Sequence, residues 1–82
     1  MQALPKVLLH SNALANFPST GQRRDMLLKR LRQIQVSPEL GGDFQWPDST
    51  KPNPVQVSTI VGYAISWIQK DDQILVLDIR GQ

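Results

Sequence analysis

His10 is the single histidine of this chain and the residue best suited to act as a general base. An unperturbed imidazole has a pKa of about 6.5, which suits proton transfer near neutral pH. Ser11 follows directly, but a nucleophile and its base also need an orienting carboxylate, and the sequence identifies none. A histidine after a short apolar run also serves as a structural hydrogen-bonding residue. Catalysis and structure therefore both remain open for His10, and the pattern favours structure.

Other residues with catalytic chemistry are few. Asp71 and Asp72 are adjacent, so in a strand they would point to opposite sides and could not act as an acid and base pair. Gly41 and Gly42 lack the lysine, strand and helix of a phosphate-binding loop, and they predict a turn instead. The absence of cysteine argues against a structural metal, and 82 residues leave little room for an enclosed cofactor. We expect neither a metal nor a cofactor.

Charge is distributed unevenly along the chain, although the formal net charge is only +2. Residues 1–34 contain six basic residues and one aspartate, a net charge of +5, whereas residues 35–82 contain three basic and six acidic residues, a net charge of −3. Arg23, Arg24 and Arg30 flank the apolar stripe of a predicted helix. They indicate either a solvated polar face or a surface for phosphate groups or an acidic partner.

Hydrophobic periodicity predicts the elements that would position these residues. Residues 6–10 predict a short strand, and residues 13–17 predict a short helix that Pro18 ends. Ser19 and Gln22 have the spacing of a capping box at the start of a longer helix. The buried stripe of that helix repeats with helical period and consists of Leu27, Leu31 and Ile34.

The second half of the chain predicts a loop followed by strands. Residues 37–54 contain four prolines and both adjacent glycines, which indicates a long loop that burial of Phe44 and Trp46 would tether. Alternation predicts strands at 55–59 and 62–67, and a hairpin turn joins the second to an apolar strand at 74–79. The predicted fold is α+β, in the order β-α-α-β-β-β, with two helices packed on one face of a small, mostly antiparallel sheet. Length and composition fit one domain over 1–82.

The order of elements and several local segments resemble the RelE/ParE superfamily of toxins from bacterial type II toxin–antitoxin modules. The matching segments are the opening residues 6–9 and 11–14, the basic helix 23–34, the loop 37–42 and the final hairpin, 62–67 and 71–79. The resemblance implies a cytoplasmic, toxin-like protein that inhibits growth through translation or gyrase and is neutralised by an antitoxin protein.

Nuclease members of this superfamily cut messenger RNA on the ribosome with basic residues on the sheet and a tyrosine or histidine near the C-terminus. Arg80 is the one residue carried over from that set. Ala64 stands where the family often has arginine, and Gln56 and Ser58 stand where lysines are expected. The resemblance therefore favours the branch that poisons gyrase over cleavage.

Three functions remain open at the level of sequence. The first is a toxin-like domain that binds an antitoxin and acts on the ribosome or gyrase. The second is a ribosome-dependent ribonuclease that uses Arg80, Lys51 and His10. The third is an interaction module that keeps the fold without toxicity.

The candidate residues for nucleic-acid or partner binding are Arg23, Arg24, Arg30, Lys51 and Tyr63. Apolar runs such as 74–77 are far shorter than the roughly 20 residues that span a bilayer, so we expect no membrane association.

Overall fold

The fold is a five-stranded mixed sheet with two helices on one face. A computed structural model describes residues 4–45, 54–60 and 62–81. The strands are β1 (Lys6–Leu9), β2 (Phe44–Gln45), β3 (Gln56–Ile60), β4 (Tyr63–Lys70) and β5 (Gln73–Gly81). The helices are α1 (Ser11–Ala15) and α2 (Gln22–Val36), and a 3₁₀ turn follows at Pro38–Leu40.

The strand order across the sheet is β1-β5-β4-β3-β2. Strand β1 runs parallel to β5, and all other neighbours are antiparallel. The predicted α+β fold and its element order are confirmed, with the 3₁₀ turn and β2 as additions inside the predicted loop. Strands β1 and β5 can run parallel because no hairpin joins them: the chain leaves β1 through α1 and α2, re-enters the sheet at β2 on the opposite edge, and reaches β5 through β3 and β4.

The core lies between α2 and the sheet face that the helices cover, which we call the helix face. Leu27, Leu31 and Ile34 are buried, which confirms the predicted stripe of α2. They pack in one cluster with residues from α1, β4 and β5. These are Ala13, Ile65, Trp67, Ile74, Val76 and Ile79.

Strand β5 contains a bulge that decides which of its apolar side chains face the helices. Trp67 pairs with Val76 but the preceding Ser66 pairs with Asp78, so Leu77 is an extra residue in β5. Strand side chains alternate between faces, so residues three apart would normally point in opposite directions. The bulge brings Ile79 back to the helix face after Val76, and both are fully buried.

The starts of both helices differ from the sequence prediction. The N-cap of α2 is Gly21, with φ +91°, and no side chain caps this helix. The predicted capping box is therefore wrong, because α2 begins at Gln22 and leaves Ser19 too far upstream to bond its first turn. Helix α1 is capped by His10, whose side chain accepts a hydrogen bond from the backbone N–H of Asn12.

The region 37–54 is only partly irregular, because it contains the 3₁₀ turn and β2. Phe44 was expected to be buried, but its side chain is 55% exposed. The reason is its register: Phe44 pairs with Val57 at the edge of the sheet, on the face opposite to the helices. We call this face the open face. Trp46 lies outside the described residues.

Candidate functional site

Arg80, the candidate catalytic residue of β5, lies on the open face opposite Ala64. Its side chain is 81% exposed, and its Nε donates to Asp78 Oδ2 at 2.7 Å. That hydrogen bond is the main reason why the pKa of Asp78 lies below its ordinary value, and Asn16 also hydrogen-bonds to Asp78. Arg80 is thus held beside a carboxylate, which opposes a role in stabilising negative charge on a phosphate.

His10 has a structural role in this fold. Its Nδ1 accepts from the backbone N–H of Asn12 at 3.2 Å and lies 3.4 Å from Ser11 Oγ. A ring nitrogen that accepts a hydrogen bond has no proton of its own, so the cap requires the tautomer protonated at Nε2. Within the described part of the chain no carboxylate hydrogen-bonds the ring. The structural interpretation of His10 therefore fits the contacts better than catalysis.

The arginines of α2 do not form one surface. Arg24 Nη1 donates to the Pro18 carbonyl at 3.1 Å, and its guanidinium lies 5.2 Å from the Phe17 ring centroid, on the flank that faces α1. Arg30 lies on the other flank, where Nη2 is 3.4 Å from Asp43 Oδ1. Arg23 is exposed. The predicted basic surface is therefore divided between two sides of the helix.

Of the two remaining sequence candidates, Tyr63 alone is among the described residues. Tyr63 is half-buried and packs against the core cluster. Lys51 lies outside the described residues. Gln56 and Ser58, where the resemblance expects lysines, are on the helix face, since they pair with Trp67 and Ile65. Arg80 pairs with Ala64 on the open face, so these strand positions cannot combine with Arg80 into one site.

Asp43 forms a polar junction that the sequence did not indicate. Its Oδ2 accepts from both the backbone N–H and the hydroxyl of Thr59, each at 2.6 Å, while Oδ1 faces Arg30. The Thr59 hydroxyl is the largest cause that lowers the pKa of Asp43, followed by the Thr59 N–H. The junction ties α2 to the free edge of β3. No local pattern could predict it, because its members lie 13 and 16 residues apart.

We expect Asp43→Asn to weaken the acid sensitivity of the fold. The folded-state pKa of Asp43 is below its ordinary value of 3.8, so its contribution to stability is present above that value and is lost as the pH falls through the lowered pKa. The stability gap between wild type and Asp43→Asn should therefore close in acid. Urea denaturation from about pH 7 to about pH 2 measures it. Glu39→Gln is the control, and a gap that stays constant with pH would contradict the assignment.

An apolar groove of about 440 Å³ lies between α1, α2 and β1, and we call it the α1–α2 groove. Two leucines project into it from the helices with much of their surface exposed, Leu14 at 62% and Leu28 at 44%. Arg24 and Arg32 contribute its positive charge. The groove is lined by Val7, Leu9, Leu14, Phe17, Arg24, Leu28, Leu31, Arg32 and Gln35. Leu28 follows Leu27 of the buried stripe, and the helical spacing alone does not show that it remains uncovered.

Two further cavities flank the 3₁₀ turn. One, of about 470 Å³, is lined mainly by this turn and by residues of β2, β3 and β4. The other, of about 510 Å³, is lined by the C-terminal half of α2 and includes Lys29 and Arg30. The described residues contain no cluster of histidine and carboxylate side chains that could hold a metal ion.

Comparison with known proteins leaves the geometry as the basis for function. No protein family, no curated protein and no solved structure matches this chain. Among residues 4–45, 54–60 and 62–81, no helix is long and apolar enough to cross a membrane.

Proposed function

We propose that this chain is the toxin-like component of a bacterial toxin–antitoxin module, that it acts in the cytoplasm on gyrase or translation, and that an antitoxin neutralises it by binding the α1–α2 groove. The observation on which this proposal depends is the combination of an apolar groove floor with arginines at its side. The resemblance of the sequence to the RelE/ParE superfamily supplies the class of partner.

The groove suits an amphipathic helix with acidic residues. Exposed Leu14 and Leu28 offer apolar surface to such a helix, in the way that grooves bind helices through residues spaced three and four apart. Arg32 is exposed beside them, and Arg24 is held in place by Phe17 and Pro18. Positive charge beside an apolar floor favours an acidic partner and raises its association rate.

Gyrase is the favoured target because the residues expected for RNA cleavage are not assembled. Arg80 is paired with Asp78, and His10 caps α1. The same two observations support the alternative function, an interaction module that keeps this fold and its docking groove without toxicity.

Induced expression in bacteria, with and without the product of the adjacent gene, tests the proposal. We expect growth arrest when the chain is expressed alone and recovery when that product is present. Arg32→Glu should weaken the complex by about tenfold or more, since it reverses a charge in the groove. Arg23→Glu makes the same change on the same helix but outside the groove, and it should leave affinity nearly unchanged. Affinity is measured by titration calorimetry of the purified proteins.

The outcomes separate the candidate functions. Unaffected growth at high levels of folded protein would contradict the toxin proposal and favour the interaction module. Arrest with intact messenger RNA and altered plasmid supercoiling would support gyrase as the target. Arrest that Arg80→Ala relieves, together with cleaved messenger RNA, would favour the ribonuclease instead.

A further inference from the structure

The open face of the sheet carries an apolar row that crosses three adjacent strands. Leu8 of β1 pairs with Leu75 of β5, and Leu75 pairs with Ile68 of β4. Ile74 and Val76, on either side of Leu75, belong to the core cluster under the helices. Since side chains alternate along a strand, Leu75 points away from the helices, and its two cross-strand partners point the same way. The three side chains therefore form one continuous apolar strip.

This row is apolar although no layer covers it. Leu8 is 43% exposed, and Leu75 and Ile68 are half-buried. Both helices pack on the other face, which leaves the row uncovered within the part of the chain that the structure describes. A sheet face in contact with water normally carries polar residues instead. A contiguous apolar patch, unlike a single exposed leucine, marks a surface for another macromolecule.

Polar residues border the row on both sides along the strands. The neighbouring row on one side consists of Lys6, Gln73 and Lys70. On the other side the next partners on this face are Ser66 and Asp78. An uncharged apolar centre inside a polar and charged rim is the anatomy of a specific protein interface. The centre of the row carries no charge that could select an acidic or a basic partner.

The size of the open face fits contact with a second copy of the chain. Strands lie about 4.8 Å apart and rise about 3.3 Å per residue, so the five strands form a face of roughly 450 Å² in projection. Two such faces offer roughly 900 Å², and the relief of the side chains adds to this, which brings the contact to the lower limit of about 1,000 Å² for a specific interface. Sheets pack face to face in this way in β-sandwiches.

We propose that two copies of this chain associate through their open faces into a weak dimer, with the row Leu8, Leu75 and Ile68 at its centre. A twofold interface uses the same patch on both copies, so the apolar row meets an identical row. Leu75 is the middle member of the row and lies near the twofold axis. The dimer does not rest on the toxin proposal, because the α1–α2 groove is on the other side of the sheet and stays accessible.

Sedimentation of the full chain over a range of micromolar concentrations tests the dimer. We expect the average mass to rise from one chain to two as the concentration increases. Leu8→Lys places an unpaired charge in the interface and should weaken the dimer by about tenfold or more. Leu28→Lys is the matched control, since Leu28 is 44% exposed but lies in the α1–α2 groove, and it should leave the dimer unchanged. Circular dichroism shows that each variant is folded.

A cross-link locates the interface independently of any added charge. The chain contains no cysteine, so Leu75→Cys introduces a single thiol. A short bismaleimide should join two copies of this variant in high yield. Leu28→Cys places the thiol in the α1–α2 groove, on the other side of the sheet, and should cross-link poorly.

Three outcomes would overturn the proposal. The first is a chain that stays monomeric at every concentration, whether the row is bare or covered by residues 46–53 of the same chain. The second is a dimer that Leu28→Lys weakens as much as Leu8→Lys, because the groove would then be the interface. The third is equal cross-linking of Leu75→Cys and Leu28→Cys. Loss of the dimer in Leu8→Lys with growth arrest intact would support the dimer and leave the toxin proposal standing, since that proposal is tested by growth.

Discussion

Trp67→Ala is expected to cost about 3–5 kcal/mol of folding free energy, the range for removing a large aromatic side chain from a core. Trp67 is 1% exposed and lies in the core cluster between α2 and the sheet. Small domains have only about 5–15 kcal/mol of stability in total, so much of the variant should be unfolded at 37 °C or slightly above. Guanidinium denaturation followed by circular dichroism measures the loss.

Two further variants are compared with Trp67→Ala, one at an exposed aromatic residue and one at the hydrogen-bond acceptor of the indole. Phe44→Ala removes an aromatic side chain that is 55% exposed, and it should cost far less than Trp67→Ala. Ser58→Ala keeps the indole but removes its buried acceptor, leaving Nε1 unpaired at a cost of about 1–3 kcal/mol. Equal losses for Trp67→Ala and Phe44→Ala would contradict the assigned core.

Gly42→Ala is expected to destabilise the fold by about 1–3 kcal/mol, the usual cost of overpacking. A Cβ atom at position 42 would lie 2.5 Å from the carbonyl oxygen of Val57, and 2.7 Å and 2.8 Å from its C and N atoms. These are backbone atoms of β3, which β2 and β4 hold in place, so they cannot move aside cheaply. The chain should respond by moving the 3₁₀ turn away from the sheet. Thermal denaturation measures the loss.

Gly81→Ala is the matched control for Gly42→Ala. Both positions lie outside the left-handed region, and the nearest atom to a Cβ at position 81 is 3.7 Å away, an ordinary contact. Gly81→Ala should therefore change the melting temperature very little. If Gly42→Ala and Gly81→Ala had the same melting temperature, the close approach of residue 42 to β3 would be refuted.

Most of the secondary structure could be predicted because it depends on local patterns. The helical spacing of Leu27, Leu31 and Ile34 identified α2 and its buried side, and alternating residues identified β3 and β4. The bulge at Leu77 could not be read from the sequence, since residues 74–77 are all apolar and show no alternation that would set the register. Strand β2 was missed because two residues carry too little periodicity.

The candidate sites could be predicted much less well. The arginines of α2 were identified as flanking residues, but only the packed structure divides them, with Arg24 against Phe17 and Arg30 against Asp43. The role of His10 depends on where α1 begins, and helix boundaries are the least certain feature of a sequence prediction. The contact between Asp43 and Thr59 requires the chain between them to return to the edge of the sheet.

The sequence by itself determined the α+β order of the elements and the buried side of α2. It also determined that residues 1–34 are basic and residues 35–82 are acidic. These follow from residue type and short-range spacing, which set the hydrophobic pattern of each element. The tertiary structure alone decided that Arg30 pairs with Asp43, that the α1–α2 groove stays uncovered and that Leu8, Leu75 and Ile68 form one row. Such contacts join residues far apart in the chain, so they depend on strand register and on which sheet face each side chain occupies.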